Sequence, residues 1–177
     1  MNLILIGNAI SFAGAMLMVA VGFLKTRRSI LLTQCSMFTL MGTANIILGG
    51  MTGAISSLVS ILRNLLCLKG PLTVPMKLAV IAMQVMLSAR LNTLGWIGWL
   101  PIISACFYTW MIDVKDETML KVVLIIAQSM WFVYDLTIQN YVGFTFDILT
   151  ILSNMYGIIS LRASHRVAHH GDGAAAM

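Results

Sequence analysis

Seven apolar runs, each close in length to a membrane-spanning helix, occupy almost all of the 177-residue chain. A helix needs roughly 20 apolar residues to cross about 30 Å of hydrocarbon. Only 10% of the residues are charged and 59% are hydrophobic, whereas soluble domains carry about 25% charged residues. The chain is therefore predicted to be an all-α, polytopic membrane protein with seven transmembrane helices. The runs lie at about 3–24, 29–48, 51–68, 72–89, 92–112, 119–138 and 142–162.

A segment in the first half of the chain recurs ninety residues later. Residues 52–64 laid on residues 142–154 give four identities, and Gly53 falls on Gly143. The same offset places the first three runs on the last three, as expected for an internal repeat. The two copies begin four spans apart, an even number, so both enter the membrane in the same direction.

The repeat predicts the domain organisation of the chain. Two parallel three-helix repeats, at 1–69 and 92–163, are joined by a linker transmembrane helix at 70–91. The fourth run is assigned to this linker because it has no copy elsewhere. Residues 164–177 are polar and then rich in Gly and Ala, which predicts a disordered cytoplasmic tail.

The distribution of Lys and Arg predicts the orientation of the chain. With the N-terminus outside, nine of the basic residues between runs or at their ends fall on the inner side, and only Arg90 falls outside. Cytoplasmic loops carry such an excess of Lys and Arg. The chain is thus expected in a bacterial inner membrane with the N-terminus outside and the C-terminus in the cytoplasm.

Composition and motifs also exclude several classes of function. The net charge of +5 is spread over the ends of apolar runs, so no nucleic-acid partner is predicted. The three cysteines share no short spacing, and His165 and His169 lack a third protein ligand, so no metal or cofactor is expected. No enzyme motif appears, and we predict no catalytic residue. The expected partners are the lipid bilayer and a small polar solute, and the sequence leaves open a homo-oligomer.

Four stretches of the chain carry a family resemblance. They are the basic loop after the first span, the Gly-x-x-Ser-x-Leu-x-x-Ile-Leu-Arg run that ends at 63, the Leu-Pro-Ile-Ile-Ser segment at 100–104, and residues 143–154. On these stretches the chain resembles, over residues 3–165, the YgjV family of bacterial inner-membrane proteins. The layout of the chain is similar to that of the SWEET and PQ-loop transporters, in which two parallel three-helix repeats flank a linker helix.

Three polar residues within the apolar runs are the candidate substrate-binding residues. The resemblance to SWEET-like transporters implies that Asn64 and Asn154, on the third span of each repeat, line a substrate site. Their alternative role is to hydrogen-bond neighbouring helices and hold the bundle together. Asp147 lies two turns before Asn154, and an ionisable residue within a span is a functional hypothesis by default. A structural carboxyl is its alternative.

Other polar and aromatic residues are expected in simpler roles. Arg63 is predicted to extend along its helix to the inner headgroups. Asn45 and Asp135 match across the repeat near the outer turns, where solvation is the simpler interpretation and an outer gate the alternative. Trp131 and Tyr134 could stack on a flat ligand, although aromatic residues in spans more often pack or anchor at the interface.

These observations favour a small polar solute transporter or facilitator that works by alternating access between the two three-helix units. The alternative is a non-transporting membrane protein with an assembly or regulatory role, which would retain the fold without a working pathway.

Overall fold

The computed structural model describes the backbone of residues 2–21, 27–111 and 116–174. Side chains are described within these ranges except at 21, 27, 117, 120 and from 160 onward. Lys25 of the basic loop and residues 113–115, between the fifth and sixth runs, lie outside the described residues. Seven helices make up the described chain: α1 (Leu3–Val21), α2 (Arg27–Ile47), α3 (Met51–Cys67), α4 (Val74–Leu91), α5 (Trp99–Met111), α6 (Glu117–Thr137) and α7 (Tyr141–Ala174).

The prediction of an all-α membrane protein is confirmed. Helices account for every regular element in the described ranges, and each predicted run overlaps one of them. Within the described residues, four helices are long and apolar enough to cross a membrane, namely α1, α2, α4 and α7. Two shorter apolar helices are α3 and α5.

The fifth helix is shorter than its apolar run because the run begins with a turn. The side chain of Asn92 accepts a hydrogen bond from the amide of Leu94 at 3.0 Å and donates to the carbonyl of Gly95 at 2.7 Å. Gly95 has a φ of +58°, which a helix cannot continue through. Pro101 then lies in the first turn of α5, where proline is tolerated.

The α2–α3 and α6–α7 turns have the same hydrogen-bonding pattern ninety residues apart. The amide of Gly50 donates to the carbonyl of Asn45 at 2.7 Å, and the amide of Asn140 donates to the carbonyl of Asp135 at 2.9 Å. Gly49 and its counterpart Gln139 have φ values of +80° and +60°. Both turns are therefore Schellman motifs, in which a left-handed residue ends the helix. The two turns are thus related by the ninety-residue offset, and the organisation of the chain as two three-helix repeats joined by a linker helix stays a prediction.

Six of the helices form a closed ring. Helix α1 packs on α2, α2 on α3, α3 on α5, α5 on α6, α6 on α7, and α7 on α1. We call α1–α3 the first unit and α5–α7 the second unit. The units meet at two seams, α3–α5 and α1–α7, which correspond to each other under the ninety-residue offset. Helix α4 lies outside the ring and packs on both helices of the first seam.

Helix α3 is buried on most of its surface because it carries small residues. Gly42 of α2 approaches it so closely that an added Cβ would lie 3.1 Å from Cβ of Ser57. On another side, Ser56 accepts a hydrogen bond from Gln84 of α4 at 2.7 Å. Small residues allow such close approach between membrane helices. As a result, the polar residues of α3 lie within the bundle rather than against lipid.

The last helix extends beyond its predicted span. Its backbone is helical to Ala174, which includes most of the segment predicted to be a disordered tail. The predicted orientation of the termini relative to the two sides of the membrane stays a prediction.

Candidate functional site

A cavity of about 400 Å³ lies inside the ring of six helices. Ligand pockets typically have volumes of roughly 300–1,000 Å³. Every helix of the ring contributes to the wall, from Met18 of α1 to Phe146 of α7. Three ionisable side chains with full charges in water line the same wall, Arg63, Asp135 and Asp147. The cavity therefore combines an apolar wall with a few charged groups.

Asp147 lies in this cavity, and its carboxyl group is only half satisfied. It is 4% exposed. Its Oδ1 accepts a hydrogen bond from Nε2 of Gln128 on α6, whereas its buried Oδ2 has no partner among the described residues. Asp135 lies close enough for the two carboxylates to repel each other when both are charged. Buried polar atoms are normally paired, so the unpaired carboxyl oxygen of this cavity residue requires an explanation.

Asp135 is held at the contact between α6 and α7. Its side chain accepts a hydrogen bond from Asn140 and packs against Gly143, where an added Cβ would collide with its Oδ2. Its Oδ1 is buried without a partner among the described residues. The expectation that Asn45 and Asp135 are solvated near the outer turns is wrong, because they are only 3% and 6% exposed. Close packing against a glycine of the next helix, Gly53 for Asn45, buries both side chains.

Arg63 points into the bundle and not toward the membrane surface. It is 3% exposed and lines the central cavity, so the prediction that it extends to the headgroups is wrong. Its Cζ lies 5.0 Å from the ring centroid of Tyr108 on α5, a cation–π contact across the first seam. Its Nε and Nη2 donate to Oδ1 of Asn64 at 3.4 and 3.3 Å. These contacts orient the guanidinium group, and they are its partners among the described residues.

The two predicted asparagines lie outside the cavity wall. Asn64 is buried and connects two cavity residues, because it accepts from Arg63 and donates to Oε1 of Gln34 at 3.0 Å. Asn154 is half-buried and donates to the carbonyl of Thr150 in its own helix at 2.8 Å. Of the three predicted substrate-binding residues, Asp147 lines the cavity, Asn64 supports a residue that does, and Asn154 does neither. Substrate binding by this set stays a prediction.

Tyr134 forms polar contacts between the two units at one end of the ring of helices. We call this end the Tyr134 end. This residue is 0% exposed. Its hydroxyl accepts a hydrogen bond from the amide of Gly53 at 2.8 Å and from the hydroxyl of Thr52 at 3.3 Å. The first N–H groups of a helix lack partners within the helix, so a side chain of the second unit caps a helix of the first.

Asn8 makes the reciprocal contact across the second seam. Its Nδ2 donates to the carbonyl of Gln139 at 2.9 Å, and its Oδ1 accepts from the amide of Val142 at 3.0 Å. A side chain of the first unit thus caps α7 of the second. The Tyr134 end is held by hydrogen bonds between the two units, from α3 to Tyr134 of α6 and through Asn8 across the second seam.

The match to known proteins is consistent with this membrane architecture. The family model for Imp-YgjV, described as bacterial inner membrane protein, matches residues 5–165. The chain belongs to this family. No match was found among curated proteins or among solved structures. Family membership therefore gives a bacterial inner-membrane protein, and the site must be interpreted from its own geometry.

Two cavity residues of this Imp-YgjV protein escaped the sequence reasoning. Gln128 bonds Asp147, and Tyr108 stacks on Arg63. Gln128 is an amide within an apolar run, as is the cavity residue Gln34. A search of the sequence for every uncharged polar residue within the runs would have found these two amides. Two tryptophans within the spans have different surroundings. Trp131 lines the cavity, whereas Trp110 is half exposed on the outside of the bundle.

Proposed function

We propose that the protein carries a small polar solute across the inner membrane, with the central cavity as its binding site. The observation that carries this proposal is the presence of Arg63, Asp135 and Asp147 in one cavity. Ionisable residues inside a membrane are costly and usually mark a pathway or a site. A purely structural role would be expected to pair the charges, but the described contacts of Arg63 are Asn64 and Tyr108.

The contacts between the units at the Tyr134 end support alternating access. Opening this end would break the two bonds that the Tyr134 hydroxyl accepts, from Gly53 and Thr52, and the two bonds that Asn8 makes. Each neutral hydrogen bond contributes about 0.5–1.5 kcal/mol, so the four together contribute about 2–6 kcal/mol. Conformations that exchange in proteins typically differ by a few kcal/mol. These contacts are thus weak enough to break and re-form in a transport cycle.

Cysteine accessibility tests whether the cavity is part of a pathway. The three native cysteines are first replaced by alanine. S57C and S60C then place a thiol in the cavity wall, and L58C, whose parent side chain is 61% exposed on the outside of the bundle, is the matched control. We expect a charged, membrane-impermeant thiol reagent to modify the two cavity positions in membrane vesicles and to spare L58C.

The side of access completes this test. The reagent is applied to right-side-out and to inside-out vesicles, and an alternating-access carrier reacts from both sides over time. Protection of S57C and S60C from both sides would refute a transport pathway. That result would favour the alternative, a non-transporting protein with an assembly or regulatory role.

A further inference from the structure

The charged groups of the central cavity lie at two depths. Helices α3 and α7 begin at the same end of the ring, since both follow the matched turns. Asp147 is six residues from the start of α7, and Arg63 is twelve residues from the start of α3. At 1.5 Å per residue these positions are about 9 Å and about 18 Å from the helix starts. The carboxyl pair and the guanidinium group are thus separated by about 9 Å of helix rise.

At the carboxyl level, one oxygen of each carboxyl group has no hydrogen-bond donor among the described residues. Oδ1 of Asp135 and Oδ2 of Asp147 are both buried and unpartnered among the described residues. Both residues are more than nine-tenths buried, and both line the cavity. A buried acceptor without a donor costs free energy, and a buried charge costs more. A ligand with several N–H donors and a positive charge would satisfy both oxygens.

The surroundings of the carboxyl pair suit an organic cation better than a metal ion. Calcium takes six to eight oxygen ligands and magnesium needs an octahedral shell. Within the described ranges, no group of three or more His, Cys, Asp or Glu side chains could hold a metal ion. The neighbouring wall instead contains Trp131 and Phe146. Aromatic faces attract ammonium groups, and an alkyl chain beside the ammonium fits the apolar wall.

The guanidinium level has the opposite chemistry. Arg63 is oriented by Asn64 and by the ring of Tyr108, and its planar group lines the cavity. A fixed guanidinium is suited to bind a carboxylate through two parallel hydrogen bonds. The cavity thus has a place for a cation at one depth and for an anion at another, with apolar side chains between them.

We propose that the central cavity binds a small zwitterion, with its ammonium group between Asp135 and Asp147 and its carboxylate at Arg63. Two charge-assisted hydrogen bonds of about 2.8 Å each and the ligand itself together span most of the separation between the two levels. This inference deepens the proposed transport function and rests on it.

Thermal unfolding with three matched pools of ligands tests the proposal. Purified protein in detergent is heated with a pool of amino acids, with a pool of the corresponding amines, and with a pool of the corresponding carboxylic acids. We expect the first pool to raise Tm and the other two to have little effect, because each offers only one of the two charges. Arms with sodium chloride and potassium chloride at equal ionic strength test for an inorganic cation.

Substitutions at the two ends then locate the binding. D147N and R63Q should each weaken the apparent affinity for the stabilising amino acid by roughly 30-fold or more, since each removes one partner of a buried charge pair. R63K retains the charge and should bind more tightly than R63Q. Lys77→Gln is the matched control, because Lys77 is a buried cation on α4 and outside the cavity wall. It should keep the affinity of the parent.

The outcomes separate this proposal from the proposed transport function. Absence of stabilisation by the zwitterion pool, stabilisation only by amines or by sodium, or stabilisation that persists in D147N and R63Q would overturn the zwitterion proposal. The experiment with the three ligand pools uses the unmodified protein, so it tests the zwitterion proposal even if a variant does not fold. Labelling of S57C and S60C is independent of the ligand, so a pathway could still be established in each of these cases.

Discussion

Removal of the Tyr134 hydroxyl should shift the protein toward a state open at the Tyr134 end. In Y134F the amide of Gly53 loses its acceptor, which now lies at 2.8 Å in a fully buried environment. A buried donor left unpaired costs about 1–3 kcal/mol. The penalty falls on the closed state alone, because water can satisfy the same amide once this end opens. The ratio of open to closed protein should therefore rise by about 5- to 150-fold.

Modification of a cavity cysteine measures this shift. In the background without native cysteines, S57C lies six residues from the start of α3, on the cavity wall. A charged thiol reagent is added to each side of the membrane in turn. The rate from the Tyr134 side should increase by at least about fivefold in Y134F, in line with the lower bound of the energy. The rate from the other side should fall or stay constant.

Tyr141 provides the matched control. It lies at the start of α7, at the same end of the ring, and is 53% exposed. Y141F makes the same chemical change at a hydroxyl group that is accessible from outside the bundle, so both the labelling rate and Tm should match those of the parent. Equal labelling rates and equal Tm values for Y134F and Y141F would refute the assignment of Tyr134 as a closing contact.

Three further substitutions test the contacts at this end, each by thermal unfolding in detergent. N8A removes the bonds to Gln139 and Val142 and should lower stability by about 1–3 kcal/mol, with faster labelling of the cavity; an unchanged Tm would contradict the second seam contact. Q139G should stabilise the protein by up to about 1 kcal/mol, because φ is +60° there and glycine adopts this conformation without strain; a lower Tm would argue against the Schellman turn. G143A places a methyl group against the carboxylate of Asp135 and should destabilise by about 1–3 kcal/mol, whereas a neutral result would mean that α6 and α7 are less closely packed.

The helices and the two turns could be predicted because they depend on local patterns. An apolar run of about 20 residues specifies a helix with little information from the rest of the chain. The identity of Gly53 and Gly143 under the ninety-residue offset predicted that these two positions are equivalent. The matched hydrogen bonds of the two turns lie beside both glycines. The early end of the fifth helix depends on local chemistry as well, since Asn92 and Gly95 form a turn there.

The side chains of the cavity were harder to predict because they depend on how each helix is rotated about its axis. Contacts between helices distant in the sequence set that rotation, such as α1 with α7 and α3 with α5. Arg63 illustrates the difficulty. Its position near the end of an apolar run is equally compatible with a headgroup contact and with a place in the interior of the bundle. The contact with Tyr108 of the second unit favours the interior. Asn64 shows the opposite difference. It was predicted to line the substrate site, but it contacts residues of the cavity wall without reaching the cavity.

At the three charged positions of the cavity, the two units carry different residues. On the predicted repeat, Arg63 corresponds to Ser153, Asp135 to Asn45 and Asp147 to Ser57.

Strict symmetry would place two guanidinium groups at one level of the cavity and four carboxylates at the other, and like charges at such distances in a low dielectric repel strongly. Uncharged counterparts relieve this repulsion and leave opposite charges at two depths. The repeated turns keep the two units alike where the backbone must fold in the same way. The charged residues make them unlike where a ligand with two different ends would bind.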